Sequence, residues 1–305
     1  MSDSTSIVIE DVSKSFGKTK ALENITCSIR ENELFGFIGP DGAGKTTLFR
    51  LITSLLKPTV GKLTVAGLDP VVDYKKLRKI LGYMPGRFSL YQDLSVEENL
   101  QFFATIFGTT IKENYALIKD IYSHIEPFKT RKAGNLSGGM KQKLALSCAL
   151  IHRPKVLILD EPTTGVDAVS RKEFWQMLNN IKQEGITIVV STPYMDEASL
   201  CDRVALMQNG KIMAIETPDQ VINHFGEPLW AIRADDMYRL MSDLRQYPNC
   251  KSVYLFGQFA HLTFKENQTI EELQLYLESR NHLNVNVKEE VPTVEDCFMK
   301  LMTEA

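Results

Sequence analysis

The chain has 305 residues, 24% of them charged and 44% hydrophobic, the balance of an ordinary globular protein rather than a disordered or fibrous one. That length builds one substantial core and leaves residues for a second, small domain, so two domains are expected. With 35 basic against 38 acidic residues and a net charge of -3, there is no basic field to recruit a polyanion, which sets nucleic acid aside as a partner.

The five cysteines, Cys27, Cys148, Cys201, Cys250 and Cys297, form no CxxC pair and no metal-ligand spacing with histidine, so they read as small buried hydrophobes. Met1 to Ile9 carries polar Ser and Asp residues instead of a basic leader followed by an apolar stretch, and the expected location is the cytosol. No apolar run approaches the roughly 18 to 20 residues that span a bilayer, so any membrane role must come through a partner.

In chain order, the first two thirds alternate short apolar runs with amphipathic stretches, the pattern of a helix-flanked α/β sheet. Leu34 to Ile38 is an apolar strand that ends in a glycine-rich turn, and Lys45 to Leu56 reads as a helix with Thr46 and Thr47 in its first turn. Roughly Leu94 to Leu150 is more helical and opens on a capping box at Ser95 and Glu98, giving a helical insertion over about 90–150. Val156 to Leu159 is a buried strand that runs directly into Asp160. Ser170 and Glu173 suggest a second capping box, with Phe174, Leu178 and Ile181 at one-face spacing behind it, and Ile186 to Ser191 supplies the next strand. Asn209-Gly210 between Val204 to Met207 and Lys211 to Ile215 predicts a hairpin.

From about Gly226 the grammar changes to strand (Leu229 to Arg233), helix (Met237 to Arg245), two strands around Gly257, helix (Thr269 to Leu277) and strand (Leu283 to Val287). That order predicts a small ferredoxin-like α+β domain over 226–305, with a last helix, Val294 to Met302, behind it. The first domain then covers 1–225.

Gly39-Pro40-Asp41-Gly42-Ala43-Gly44-Lys45-Thr46 fits GxxxxGK[ST] between a predicted strand and a predicted helix. The glycines let successive N–H groups turn inward around phosphate oxygens, Lys45 reaches the terminal phosphates, and the Thr46 hydroxyl ligates magnesium. The blander reading is a glycine-rich turn with a solvated lysine. Asp160 and Glu161 follow a strand, at the carboxyl edge where open α/β sheets place ligands. Asp160 is suited to hold the magnesium shell and Glu161 to polarise the attacking water; the alternative is two solvated acids capping the next turn.

Ser137, Gly138 and Gly139 at a helix start offer a hydroxyl and N–H groups to an anion, a second phosphate-binding surface, unless they are only a flexible capped loop. The run Leu136-Ser137-Gly138-Gly139-Met140-Lys141-Gln142 is similar to the signature sequence of ABC transporter ATPases, and the resemblance extends from about Ile7 to Gly226. It implies an α/β P-loop NTPase cassette of the ABC type with a helical insertion, using ATP and Mg2+. It further implies a head-to-tail dimer in which Ser137 to Gly139 of one subunit cover the nucleotide on the P-loop of the other. Asp167 matches the family's interfacial loop, and Phe16 matches the aromatic that stacks on adenine, a task that asks only for a π face. On its own Phe16 would read as an ordinary exposed or core side chain. The ending Pro292-Thr293-Val294-Glu295-Asp296-Cys297-Phe298 resembles that of ATPases serving ABC-2-type exporters, so ABC-2-type permease subunits are the implied partners, with the chain peripheral on the cytoplasmic face of the membrane.

Departures from the family pattern carry information. Gly86 stands where a glutamine usually senses magnesium and water, and Pro193 where a histidine usually contacts the γ-phosphate; neither can do that work. Asp41 replaces a frequent asparagine and reads as a turn residue, since its charge would repel phosphate. Both losses fall on this chain's own P-loop site, while Ser137 to Gly139 are intact. Two arrangements follow: a heterodimer in which this subunit is the slow or non-hydrolysing half, or a homodimer in which Glu161 suffices. A non-transport ABC protein acting on ribosomes or DNA is a further class, but the chain shows one cassette, no basic linker and no long coiled-coil insertion.

Overall fold

The computed structural model describes residues 4–265 and 270–304. They form two compact units that divide between Pro218 and Asp219, a little ahead of residue 225.

The first unit opens on two long antiparallel strands, β1 (Thr5–Phe16) and β2 (Thr19–Arg30), whose alternation buries Ile7, Ile9, Val12, Ile25 and Ile29. β3 (Leu34–Ile38) is buried at all five positions, as a strand covered on both faces must be, and leads through the glycine loop into α1 (Lys45–Ile52). α1 stops before Leu56 because Ser54 turns left-handed, with φ of 60°. β4 (Val60–Val65), α2 (Tyr74–Ile80) and β5 (Leu81–Met84) follow.

The helical insertion consists of α3 (Val96–Ile106), α4 (Ile111–Tyr122) and α5 (Gly138–Leu150). α3 starts on the predicted capping box: the Glu98 N–H donates to Ser95 Oγ at 3.2 Å and the Ser95 N–H to Glu98 Oε2 at 2.7 Å. β6 (Val156–Asp160), α6 (Ala168–Gln183), β7 (Thr187–Thr192) and the hairpin β8 (Arg203–Gln208) and β9 (Lys211–Glu216) complete the unit. α6 starts earlier than Ser170. Asp167 is its N-cap, accepting the Ser170 N–H at 3.0 Å, while Glu173 pairs with Lys143 at 2.9 Å instead of closing a capping box.

The main sheet runs β5-β6-β7-β3-β8-β9, parallel except for the edge strand β9, and it brings the carboxyl ends of β3, β6 and β7 together. A separate antiparallel sheet, β2-β1-β4, stands outside the alternating α/β pattern read from the sequence. Phe35, Phe37 and Phe49 are fully buried among core aliphatics, Phe37 meeting Phe49 edge-on at 5.8 Å; each such ring contributes about 2–3 kcal/mol by burial.

α7 (Pro218–Asn223) straddles the division. The second unit then runs β10 (Leu229–Arg233), α8 (Met237–Gln246), β11 (Cys250–Phe256), β12 (Phe259–Phe264), α9 (Ile270–Ser279), β13 (Asn286–Glu290) and α10 (Val294–Glu304). Thr269, the expected start of α9, lies outside the described residues. The antiparallel sheet has the order β11-β12-β10-β13, and one face carries a core of Ile232, Leu240, Leu244, Leu262, Leu273 and Leu277. β13 starts at Asn286, later than Leu283, because Leu283 is 69% exposed and Asn284 is left-handed at φ 53°. Among the described residues no helix is long and apolar enough to cross a membrane.

Candidate functional site

The loop between β3 and α1 is shaped by places where only glycine fits. A Cβ on Gly39 would lie 2.1 Å from the Met207 carbonyl oxygen, and one on Gly44, held at φ 102°, would lie 2.8 Å from that of Ala21. The backbone therefore packs directly against backbone, and Gly44 caps α1 in a left-handed turn that leaves the first helical N–H groups facing a cavity. That cavity, about 430 Å³, is lined by Gly42, Ala43, Gly44, Lys45, Thr46, Thr47 and Glu161, with Thr19 to Ala21 and Asn209-Gly210 on its other side. Gly39, Pro40 and Asp41 do not line it. The Gly39 and Pro40 carbonyls instead accept from Lys45 Nζ at 2.7 and 3.0 Å, and Asp41 is exposed, in keeping with a turn residue.

Lys45 is 3% exposed, and its Nζ lies 3.4 Å from Glu161 Oε1, its one ion pair among the described residues. Asp160, 2% exposed at the end of β6, accepts from Thr46 Oγ1 at 3.2 Å and Ser191 Oγ at 2.6 Å. Glu161 is left-handed, with φ of 49°, an unfavourable conformation for a side-chain-bearing residue, held by its N–H donating to the Ser191 carbonyl and Oγ, both at 3.0 Å. Burial, and then the negative charge of Asp160, pushes the nearby Tyr83 hydroxyl up to about 12. The start of α1 and the end of β6 thus bring Lys45, Thr46 and Glu161 onto one cavity, with Asp160 hydrogen-bonded behind Thr46.

Ser137 and Asp167 sit elsewhere. Ser137 caps α5, its Oγ accepting the Met140 N–H at 3.4 Å. A Cβ on Gly139 would meet Ser170 Oγ at 3.1 Å, so this glycine lets the α5 start lie close against the α6 start, while one on Gly138 would make only an ordinary contact, at 3.7 Å, with the Gly165 carbonyl. The Asp167 carboxyl is held below its usual value by the hydrogen bond from the Ser170 N–H at the α6 start. None of Ser137, Gly138, Gly139 and Asp167 lines the Lys45 cavity, and neither does Phe16, which is 49% exposed beneath Lys14, 5.1 Å from its ring centroid.

Several participants carried no signal that could be read in advance. Thr19 to Ala21 reach the cavity because the Glu23 N–H donates to the Gly210 carbonyl and the Gly210 N–H to that of Ala43, pinning the β2 start and the β8-β9 turn onto the loop. Glu197, 3% exposed, accepts from Thr192 Oγ1 at 2.6 Å and Thr163 Oγ1 at 3.1 Å, tying the turn at Pro193 to the segment after Glu161. A Cβ on Gly86 would come 3.0 Å from the Asp160 carbonyl, so this segment runs close under the acidic pair.

Burial raises the thiols of Cys27, to about 12, and of Cys297, to about 11, and pushes Cys148 and Cys201 upward as well; these four cysteines are buried and inert.

A parallel sheet, a glycine loop capping a helix and an acidic pair on the neighbouring strand end define a P-loop NTPase cassette. The ABC transporter family model matches residues 22–164. The chain is 37% identical over 287 residues to the probable multidrug ABC transporter ATP-binding protein YbhF of Escherichia coli (strain K12), covering 92% of this chain and 49% of that protein, so it spans about half the length of that relative. It is 33% identical over 300 residues to the Nod factor export ATP-binding protein I of Rhizobium sp. (strain N33), covering 97% and 96%. A solved dimeric ATP-binding cassette in a post-hydrolysis state, bound to ADP and Pi, superposes with a TM-score of 0.63 at 25% identity, over 69% of this chain and 98% of that one. The chain belongs to the ATP-binding proteins of ABC transporters.

Proposed function

We propose that this chain is the ATP-binding and hydrolysing subunit of an exporter, working in a dimer on the cytoplasmic face of the membrane. The observation that carries the reading is the convergence of Lys45, Thr46 and Glu161 on a cavity at the start of α1, with Asp160 held against Thr46 at 3.2 Å. The N–H groups of Gly42 to Thr47 cradle the phosphates, Lys45 neutralises the terminal ones, and Phe16 offers its exposed ring to the adenine. Glu161 takes the proton of the attacking water, its carboxylate aimed at the cavity by the left-handed turn.

Magnesium fits the residues present. Thr46 Oγ1 and Asp160 Oδ1 are hard oxygen donors 3.2 Å apart, close to the about 2.9 Å that separates neighbouring ligands at about 2.05 Å from one octahedral ion. Among the described residues no group of three or more His, Cys, Asp or Glu side chains gathers to hold a metal. An ion bound mainly by phosphates and water needs no such cage. When bound, magnesium would neutralise charge on the phosphates; Thr46 and Asp160 would hold it.

Ser137, Gly138, Gly139 and Asp167 form a second surface away from this cavity, which suits closure over the nucleotide of a second ATPase subunit. Permease docking is assigned to the groove of about 450 Å³ beside Gly86, where Leu81, Met84, Leu90, Phe103 and Phe107 present an apolar lining. The ABC-2 type rests on the tail's resemblance alone, and the direction of transport on that resemblance together with the Nod factor export relatives.

A second reading, a slow regulatory half of a heterodimer, is favoured by Gly86 and Pro193, which leave Glu161 without the usual glutamine and histidine. The two readings part on Glu161→Gln. In the chain purified with its partners, phosphate release should fall about 100-fold or more if Glu161 is the base. A variant that turns over like the parent would instead assign hydrolysis to the other subunit.

A further inference from the structure

The second unit holds a cavity of about 440 Å³, as large as the one on the glycine loop, and its chemistry is unlike that of a domain core. One face of the sheet is ordinary: Val253, Ala260 and Leu262 point into the apolar cluster beneath α8 and α9. Strand alternation sends their neighbours to the opposite face, and there Ser252 and Tyr254 of β11 stand opposite Thr263 and His261 of β12. Four polar side chains in one register form the floor, with Ser252 Oγ and Thr263 Oγ1 2.7 Å apart.

α10 supplies the wall. His261 Nδ1 is 2.7 Å from Asp296 Oδ1, with the two side chains 11% and 2% exposed, and Asp296 Oδ2 accepts from the Thr293 N–H at 2.8 Å and hydroxyl at 2.7 Å. Both carboxylate oxygens of Asp296 are thereby engaged. Burial raises its carboxyl, but the hydrogen bonds from His261 and Thr293 outweigh that and keep it below the usual range.

The remaining charges are unbalanced. Lys251 and Lys300 both converge on Glu227, at 2.7 Å each, and Lys300 also donates to the Phe225 carbonyl at 2.5 Å. Arg245, at the end of α8, lines the cavity with no ion pair to any described residue. Two lysines thus share one carboxylate, and Arg245 adds a third, unpaired cation around a hydroxyl floor. Such a surplus beside a polar concavity favours an anion, which gains charge-assisted bonds from side chains already held in place.

We propose that this cavity is a binding site for a small phosphomonoester, taken up between Arg245, Lys251 and Lys300 with the hydroxyls of Ser252, Tyr254 and Thr263 as secondary donors. Glu227 is the group the phosphate displaces or shares, which sets the affinity in a moderate, reversible range. The site is built wholly within the second unit, so it is independent of the reading of the glycine loop.

The test is calorimetric titration of the full chain carrying Lys45→Ala, which removes phosphate binding at the glycine loop, with inorganic phosphate and with glucose 6-phosphate. One saturable site is expected for the sugar phosphate, with amide shifts at Ser252, Tyr254, His261 and Thr263 in the labelled chain. Arg245→Glu, on an exposed helix end where folding is not at stake, should weaken it at least about tenfold. Phosphate alone binding with the same shifts places the recognition in the phosphate group. Absence of a saturable heat for both probes, or binding that Arg245→Glu leaves intact, or shifts that fall elsewhere, overturns the proposal.

Discussion

The cavity on the glycine loop and the one in the second unit differ in what builds them. The one in the first unit is built around main chain, a glycine loop, a helix start and a turn pinned against them, with Lys45, Thr46 and Glu161 as the side chains given a chemical role. The one in the second unit is made of side chains that alternate out of β11 and β12 and descend from α10. A backbone site needs glycine at fixed positions and so leaves a motif in the sequence; a side-chain site uses common residues far apart and leaves none.

That contrast can be broken most sharply with glycines. Gly39→Ala places a methyl 2.1 Å from a carbonyl oxygen, and urea unfolding should show a loss on the order of 3 kcal/mol together with loss of nucleotide binding. Gly257→Ala is its counterpart in the second unit. Its φ is 56° and nothing lies within 4 Å, so only the left-handed backbone penalty of about 1 kcal/mol should appear. Equal losses would contradict the assignment of backbone packing to the first site alone.

Acid should separate the units as well. His152 stacks on Phe107 at 3.7 Å, its Nε2 faces the Leu81 carbonyl, and burial lowers it to about 4. A histidine depressed in the fold takes up its proton more readily when unfolded. Its contribution is therefore complete above about pH 6.5 and lost as pH falls to about 4, on the order of 3 kcal/mol in all. His152→Leu should flatten that slope in the first unit. Asp296, held below its usual range, adds stability that is full above the unfolded aspartate value and is lost only as pH falls through the lower folded one. Unfolding followed between pH 7 and 4 by a probe in each unit should show the first weakening before the second.

A smaller effect is expected at the catalytic margin. Pro193→His should raise turnover several-fold if the missing imidazole limits the rate, a gain of about 1 kcal/mol in barrier. Adding Gly86→Gln should bring less, since its Cβ would press on the Asp160 carbonyl at 3.0 Å. An unchanged rate for both would favour a site in which Glu161 suffices.

Much of the first site was legible because its parts are local. The glycine loop, Asp160-Glu161 at a strand end and the Ser95 capping box are each fixed by a few adjacent residues. The β2-β1-β4 sheet was not, because β1 is interrupted by register shifts around Ile9 and Val12 and a left-handed Asp11, which breaks the alternation that marks a strand. The α6 start was displaced because Asp167 lay outside the apolar periodicity, although it holds the cap. Thr19 to Ala21 join the cavity only through pairing with a turn at residues 209–210, a contact with no local trace.

The central claim is that helix-start amides, one buried ammonium group and a carboxylate-held divalent ion together grip a triphosphate. Isothermal titration of the full chain with Mg-ATP at millimolar concentration tests it most directly. A saturable heat that Lys45→Ala abolishes is the predicted result, and a heat that survives Lys45→Ala unchanged, or none at all in the parent, would contradict it.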